Sequence, residues 1–211
     1  MSPASGVAIR RSIEAALAAV VAAEAQLTAW DAAAGDGDCG ATMRRGAERV
    51  TQDLASYDLE RPSRLLAQLA GSVSTMGGTS GVILDIFLRA CGNSLSQAEV
   101  CDSAALLAAV AAGVAAVSFY GGAKEGMCTL LDALIPALGA GVALGVGGGV
   151  EAVLTAMASG AAAGAEATKT MTAMAGRASY VPDSQVQGTP DPGAMFVAFV
   201  LGAVANMGDD I

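Results

Sequence analysis

Three aspartates lie close together in residues 30–40, separated mainly by alanine and glycine. They are Asp31, Asp36 and Asp38. Hard divalent cations bind carboxylate oxygens, and Mg²⁺ usually keeps waters and shares phosphate oxygens as well. Gly35 and Gly37 let the backbone bend enough for three short side chains to converge. The segment therefore predicts a metal site; the alternative that these residues leave open is a solvated turn that binds no ion.

A helix is expected to begin directly after this segment, with Asp38 at its N-cap. Free N–H groups from Cys39 to Thr42 would then lie beside the metal, where a phosphate could bind. Glycines at positions 35, 37 and 40 also match G-x-G-x-x-G, but that dinucleotide motif requires a preceding strand, and residues 28–34 do not form a strand pattern. The chain also has no Walker A lysine motif. A nucleotide site here would be of another type.

Three further segments combine glycine, hydroxyl or charged residues at helix ends: residues 76–81, residues 129–132, and residues 176–180 together with 190–193. The first could wrap a phosphate or a nucleobase edge, although a plain helix–helix turn has the same composition. Arg177 is one of few cations in an acidic chain, and an arginine near a triphosphate would offset the charge that builds up during transfer. The alternative for Arg177 is an ordinary surface arginine.

The composition excludes several functions. The chain has no histidine, so it cannot supply a histidine-based triad, a histidine general base or a histidine-ligated zinc. The formal net charge of -9 disfavours nucleic-acid binding, which needs lysine and arginine on phosphates. The four cysteines form no CxxC pair, and scattered free cysteines are typical of a reducing cytoplasm. A cytoplasmic location follows as the expectation.

The elements that must position these residues are predicted to be helices of a single domain over residues 1–211. Alanine is the best helix former, and β-branched residues do not cluster in alternating runs. Residues 104–123 are uncharged over a bilayer's length, but they are mostly small and lack a basic flank at their start. We therefore expect a buried bundle helix there and no membrane span. About eight helices are predicted, over residues 6–29, 38–54, 62–75, 80–90, 96–119, 127–138, 151–172 and 193–206, with an irregular stretch over residues 176–189.

Taken together, the segments resemble the nucleotide-binding domain of dihydroxyacetone kinases, the L subunit of bacterial systems. The matching blocks follow in order along nearly the whole chain: residues 31–40, 76–81, 129–132, 176–180 and 191–193. The resemblance implies an all-α fold, a closed barrel of eight antiparallel amphipathic helices with the nucleotide at the rim of loops. It also implies that Asp31, Asp36 and Asp38 hold two Mg²⁺ ions that bridge the phosphates of ATP or ADP. Further residues are implied to contact phosphates or nucleotide: Cys39, Gly40, Ala41, Thr42, Thr79, Ser80, Gly121, Thr129, Arg177, Asp191, Pro192 and Gly193.

The resemblance further implies a division of labour. The short ketose would be held covalently by a histidine on a separate domain or subunit, which agrees with the absence of histidine here. ATP could be the direct donor, or bound ADP could be rephosphorylated by a phosphotransferase-system protein; Cys39 resembles the ATP-dependent type, whereas the other type commonly has histidine. A homodimer and a fragment of a longer kinase are both compatible with the sequence. The chain departs from the family at residues 126–129, Gly-Met-Cys-Thr, where Gly-Asp-Lys-Thr is common. A non-catalytic lipid- or ligand-binding helical barrel is the alternative function.

Overall fold

The computed structural model describes residues 3–182 and 186–207, and within them the chain is all-helical with no strand. The all-α class is thus confirmed. The described α-helices, in our numbering, are α1 Pro3–Ala22, α2 Glu24–Ala34, α3 Cys39–Asp53, α4 Pro62–Ser74, α5 Gly78–Leu95, α6 Ser103–Gly121, α7 Leu131–Leu144, α8 Gly149–Ala167 and α9 Pro192–Asn206.

Neighbours along the chain are neighbours in space. Helices α3 to α8 each pack against the next, and α9 packs against α8 and then against α1, so the helix contacts return to the start of the chain. Short connections between consecutive helices favour this antiparallel order. Because direction alternates, α3, α5, α7 and α9 begin at the end of the bundle where α2 and α6 finish. The first turns of four helices therefore meet at one end.

Three predicted boundaries were wrong for local reasons. The predicted helix over residues 6–29 is two helices, α1 and α2, separated at Ala23, although backbone hydrogen bonding continues through it from Ala19 to Leu27. Ser96 does not begin a helix; it ends α5, and Asp102 caps α6 by accepting the Ala105 N–H at 2.9 Å. A start for α7 near residue 127 is prevented because Gly126 and Cys128 both have positive φ, which an α-helix cannot include.

The predicted irregular stretch over 176–189 contains a short 3₁₀ helix, Arg177–Tyr180, and its residues 183–185 lie outside the described residues.

Glycines allow the helices to approach closely. A Cβ on Gly164 would lie 2.1 Å from the carbonyl oxygen of Asp132, and one on Gly160 would lie 2.5 Å from that of Pro136. These contacts join α8 to α7 near Pro136. Proline often kinks or ends a helix, but α7 continues through Pro136 to Leu144. Small residues therefore set the spacing between helices here.

Two described helical segments, Ser103–Gly121 and Val146–Thr170, are long and apolar enough to cross a membrane by length and composition alone. Both pack against neighbours in the bundle: α6 contacts α5, α7 and α8, and α8 contacts α7 and α9. The interior face of α6 carries buried Leu107, Val110 and Val117, as expected of a bundle helix.

Replacing Gly40 by alanine is expected to lower the stability of the protein by about 2–3 kcal/mol, because the new methyl group overpacks a helix crossing. Its Cβ would lie 2.0 Å from the Glu24 carbonyl oxygen and 2.3 Å from Thr28 Oγ1, so α2 and α3 must separate. The matched control is Gly139→Ala, because nothing lies within 4 Å of a Cβ in that α7 position. The control is expected to be neutral or to stabilise by about 0.5–1 kcal/mol. Urea unfolding measures both, and equal stability of the two variants would contradict the close α2–α3 crossing.

Candidate functional site

A cavity of about 290 Å³ lies where the first turns of α3, α5, α7 and α9 meet the last turns of α2 and α6. Each helix start carries a partial positive charge, so four of them directed at one cavity favour an anion there. The lining also contains apolar residues, among them Ile83, Val117 and Leu130. The cavity thus suits a ligand that combines a phosphate with an apolar group.

Asp31 organises the acidic segment. Its carboxylate Oδ2 accepts the backbone N–H groups of Asp38, at 2.8 Å, and of Cys39, at 2.9 Å. The expected side-chain cap by Asp38 is absent although Asp38 occupies the N-cap position. Asp31 instead binds the backbone N–H groups of Asp38 itself and of the first helical residue, Cys39. A Cβ on Gly35 would lie 2.6 Å from Asp31 Oδ1, so glycine is needed for this carboxylate to fold back over the turn.

The three aspartates of the segment converge. Asp31, Asp36 and Asp38 each place a carboxylate oxygen so that the three oxygens lie within 4.8 Å of one another. Asp36 also forms an ion pair with Arg177, which the sequence places 141 residues away. The Asp38 carboxylate has no hydrogen bond or ion pair to any described residue. Three oxygen donors at this separation fit the ligand preference of Mg²⁺, with water or phosphate completing the shell.

A buried carboxylate, that of Asp132, shapes the loop before α7. Asp132 is 1% exposed, and its two oxygens accept the N–H groups of Gly126, at 2.5 Å, and Thr129, at 2.7 Å. Cys128, between them, is held at φ 60, a left-handed conformation unusual for a residue with a side chain. Asp132 therefore fixes the turn that brings Cys128 and Thr129 to the cavity wall.

Thr168, at the end of α8, joins two loops of the site. It is 1% exposed; its hydroxyl donates to the Ala165 carbonyl at 2.5 Å and accepts the Asp191 N–H at 2.9 Å. Its own carbonyl accepts the Cys128 thiol at 3.7 Å. The turn before α7 and the turn before α9 are thereby fixed to the same residue.

Burial raises the pKa of Asp191 to about 7, against the effect of its hydrogen bonds with the Ala194 and Gly193 N–H groups. The Asp132 and Asp31 charges raise it further. The Asp191 side chain caps α9 by accepting the Ala194 N–H at 2.7 Å. A cation in the cavity would favour its ionised form.

The cavity thiols are not activated nucleophiles. Burial raises the pKa of Cys39 to about 12, with Asp31 and other aspartates adding to the shift, and burial likewise raises the pKa of Cys128 to about 12. Because the thiolate is the reactive form, both cysteines are protonated at neutral pH. Covalent thiol chemistry is therefore disfavoured in the site.

The structure brings most of the residues singled out from the sequence to this one cavity. Those that line it are Asp31, Asp36, Asp38, Cys39, Thr42, Thr79, Ser80, Gly121, Thr129, Arg177, Asp191, Pro192 and Gly193. Gly40 and Ala41 do not line it, and Gly40 faces α2 instead.

Sequence reasoning missed three features of the site. They are the apolar lining residues Ile83 and Val117, the lining segment of residues 171–175, and the organising roles of Asp132 and Thr168. No pattern marks Thr168, since the two site residues that it contacts, Asp191 and Cys128, are 23 and 40 residues away. Asp132 had a partial signal, an aspartate three residues after Thr129 at the start of an apolar helix.

Comparison with known proteins shows the family of the chain. The model of the DAK2 domain family matches residues 33–206. The chain is 36% identical over 209 residues to the dihydroxyacetone kinase of Citrobacter freundii. This alignment covers 97% of this chain and 36% of that protein. It is 37% identical over 190 residues to the human triokinase/FMN cyclase, covering 87% of this chain and 32% of that protein.

A crystal structure of the C. freundii dihydroxyacetone kinase in complex with AMP-PNP and Mg²⁺ superimposes with a TM-score of 0.75 at 33% identity, covering 94% of this chain and 33% of that one. The chain thus spans about a third of the length of the relatives it matches.

Proposed function

The chain belongs to the DAK2 domain family, and from that premise we propose that it is the Mg²⁺–nucleotide-binding, phosphoryl-transfer unit of a dihydroxyacetone-type kinase. The observation that carries the proposal is the convergence of Asp31, Asp36 and Asp38 at a cavity surrounded by four helix starts. The carboxylates would hold cations, and the helix starts would bind phosphate. A similar structure, 33% identical, was determined with AMP-PNP and Mg²⁺.

Bound Mg²⁺ would neutralise the phosphate oxygens and align them for transfer. The protein's own residues prepare that arrangement. Asp31 is oriented by two backbone N–H groups, and the Asp38 carboxylate has no hydrogen bond or ion pair to any described residue. Two ions are proposed because the resemblance to dihydroxyacetone kinases implies two, and the three converging carboxylates would supply their protein ligands.

Arg177 is proposed to stabilise charge on the transferred phosphoryl group. It lines the cavity and forms an ion pair with Asp36, yet 70% of its side chain is exposed. Because Arg177 is exposed, it can leave its ion pair with Asp36 and bind a phosphate oxygen instead when nucleotide binds. ATP is the proposed donor, since Cys39 occupies the position where ADP-retaining relatives commonly have histidine; a bound ADP rephosphorylated by a phosphotransferase-system protein is the other form of the cycle.

The acceptor hydroxyl is proposed to come from a short ketose on a separate, histidine-bearing domain or subunit. Exposed aromatic residues close in sequence to the cavity lining support a docking partner there. Phe119 and Tyr120, next to Gly121, are 80% and 71% exposed, and Tyr180, three residues after Arg177, is 90% exposed. Large aromatic side chains are enriched at protein interfaces.

Thermal unfolding experiments distinguish the proposed nucleotide-binding function from the alternative lipid-binding function. Mg²⁺–ADP at about 100 times its dissociation constant should stabilise the folded chain by about 2.7 kcal/mol. Neutral lipid vesicles should have no effect on the melting temperature. Stabilisation by lipid together with indifference to Mg²⁺–ADP would contradict the proposal in favour of the carrier.

The division of labour has its own test. The purified chain, given Mg²⁺–ATP and dihydroxyacetone without a partner, is expected to form no dihydroxyacetone phosphate, because it holds no histidine to bind the ketose. A coupled enzyme assay measures the product. Turnover by the chain alone would disprove the separate substrate domain while leaving nucleotide binding intact.

A further inference from the structure

Arg45, in the second turn of α3, connects two segments of the cavity wall that are distant in sequence. Its Nη2 donates to the Thr42 Oγ1 at 2.8 Å and to the Met76 carbonyl at 3.2 Å. Thr42 lines the cavity, and Met76 immediately precedes the glycine turn that leads to Thr79 and Ser80 at the start of α5. One guanidinium group therefore joins the start of α3 to the turn that leads into α5.

We propose that Arg45 is a positioning residue for the phosphate-binding wall, which it builds by orienting the Thr42 hydroxyl toward the ligand and by fixing the turn at Gly77. The proposal rests on the nucleotide-binding function proposed above. Two features of the contacts of Arg45 support the positioning role.

The first feature is the hydrogen-bonding direction at Thr42. The Thr42 hydroxyl is buried, 5% exposed, and it accepts from Arg45. An arginine can only donate, so the hydroxyl proton must be directed elsewhere. Within residues 3–182 and 186–207, the Thr42 hydroxyl donates no hydrogen bond, and the one bond that it forms is the one it accepts from Arg45. Arg45 thereby makes Thr42 a donor toward the cavity, which is the polarity that a phosphate oxygen needs.

The second feature is the unbalanced charge of Arg45. The neighbouring Arg44 forms ion pairs with Glu24 and Glu48. Arg45, by contrast, has no carboxylate partner within 4.0 Å among the described residues. Its positive charge lies behind Thr42, where it adds to the partial charge at the start of α3.

Packing fixes the Met76 end of the connection. Met76 is 4% exposed, and a Cβ on Gly46 would lie 2.6 Å from its sulfur, so α3 holds this residue closely. Gly77 and Gly78 follow with φ of 80 and 66, conformations that glycine adopts without strain. The hydrogen bond from Arg45 to the Met76 carbonyl therefore orients a turn whose two glycines allow many backbone conformations.

The experiment compares Arg45→Gln with Arg44→Gln, an adjacent control that removes the same charge from the same helix. Calorimetric titration gives the dissociation constant for Mg²⁺–ADP. Arg45→Gln is expected to weaken binding about 10-fold, the size of one hydrogen bond to a charged group, and Arg44→Gln less than about 2-fold. Arg45→Lys keeps the charge and one donor group, and its affinity should lie between wild type and Arg45→Gln.

A double-mutant cycle separates positioning from a general loss of structure. If Arg45 acts through Thr42, the variant with both Arg45→Gln and Thr42→Val loses less affinity than the two single losses combined. Additive losses, or equal affinity of Arg45→Gln and Arg44→Gln, would overturn the inference. Should Arg45→Gln unfold, Arg45→Lys carries the same cycle with Thr42→Val. Failure of the wild-type chain itself to bind Mg²⁺–ADP would instead disprove the proposed function.

Discussion

Replacing Asp38 by asparagine is expected to weaken Mg²⁺–ADP binding by at least about 100-fold, since substitutions that merely support a metal ligand already cost 10–100-fold. The Asp38 carboxylate forms no bond to the described protein, so its loss removes a ligand oxygen and little else. The apo protein should unfold at the same or a higher temperature than wild type, because one of three mutually repelling carboxylates becomes neutral. Loss of binding without loss of stability is the distinctive result.

The matched control for this variant is Asp85→Asn, which neutralises an aspartate of α5 that pairs with Arg89 outside the cavity. Calorimetry with Mg²⁺–ADP and thermal unfolding of the apo proteins compare the two. The control should bind as wild type does. If Asp38→Asn binds Mg²⁺–ADP with unchanged affinity, the carboxylates of residues 31–38 form a solvated turn, the alternative that the sequence left open.

Replacing Asp132 by alanine is expected to destabilise the protein by about 3–5 kcal/mol, since two backbone N–H groups lose their acceptor at about 1–3 kcal/mol each and a cavity remains. Both N–H groups belong to the loop that presents Cys128 and Thr129 to the site. Nucleotide affinity should fall together with stability.

Asp102→Ala is the appropriate comparison for Asp132→Ala, because Asp102 is also an aspartate that accepts a backbone N–H at a helix start, but at the far end of the bundle and exposed. Loss of that cap should cost about 1 kcal/mol and leave nucleotide binding unchanged. Urea unfolding gives both free energies. A loss for Asp132→Ala no larger than that for Asp102→Ala would mean that the loop before α7 does not depend on its buried carboxylate.

The acidic segment was predictable because its chemistry is local: three aspartates and two glycines within a few positions must lie near one another in any fold. The helices were predictable from composition and spacing, and the ends marked by Pro62 and Pro192 were among the most accurate. The break at Ala23 was not, because backbone hydrogen bonding continues across it and neither glycine nor proline marks it.

The contacts that the sequence could not predict depend on packing between distant segments. Arg177 meets Asp36, Arg45 meets Met76, and Thr168 meets Asp191 only after the helices have assembled. Gly40 illustrates the same limit. Its place in the first turn of α3 and the family resemblance predicted a phosphate contact, and the structure shows in addition that the missing side chain allows α2 to approach α3. Local pattern identifies the groups able to do chemistry, and tertiary packing decides which of them face the ligand.

Calorimetric titration of the purified chain with ADP, in the presence of Mg²⁺ and again in the presence of a chelator, tests the central claim most directly. Binding of one ADP per chain with Mg²⁺, and its loss when the ion is removed, is the predicted result. ADP binding of equal strength in both conditions, or no binding in either, would contradict the assignment of this cavity as a magnesium–nucleotide site.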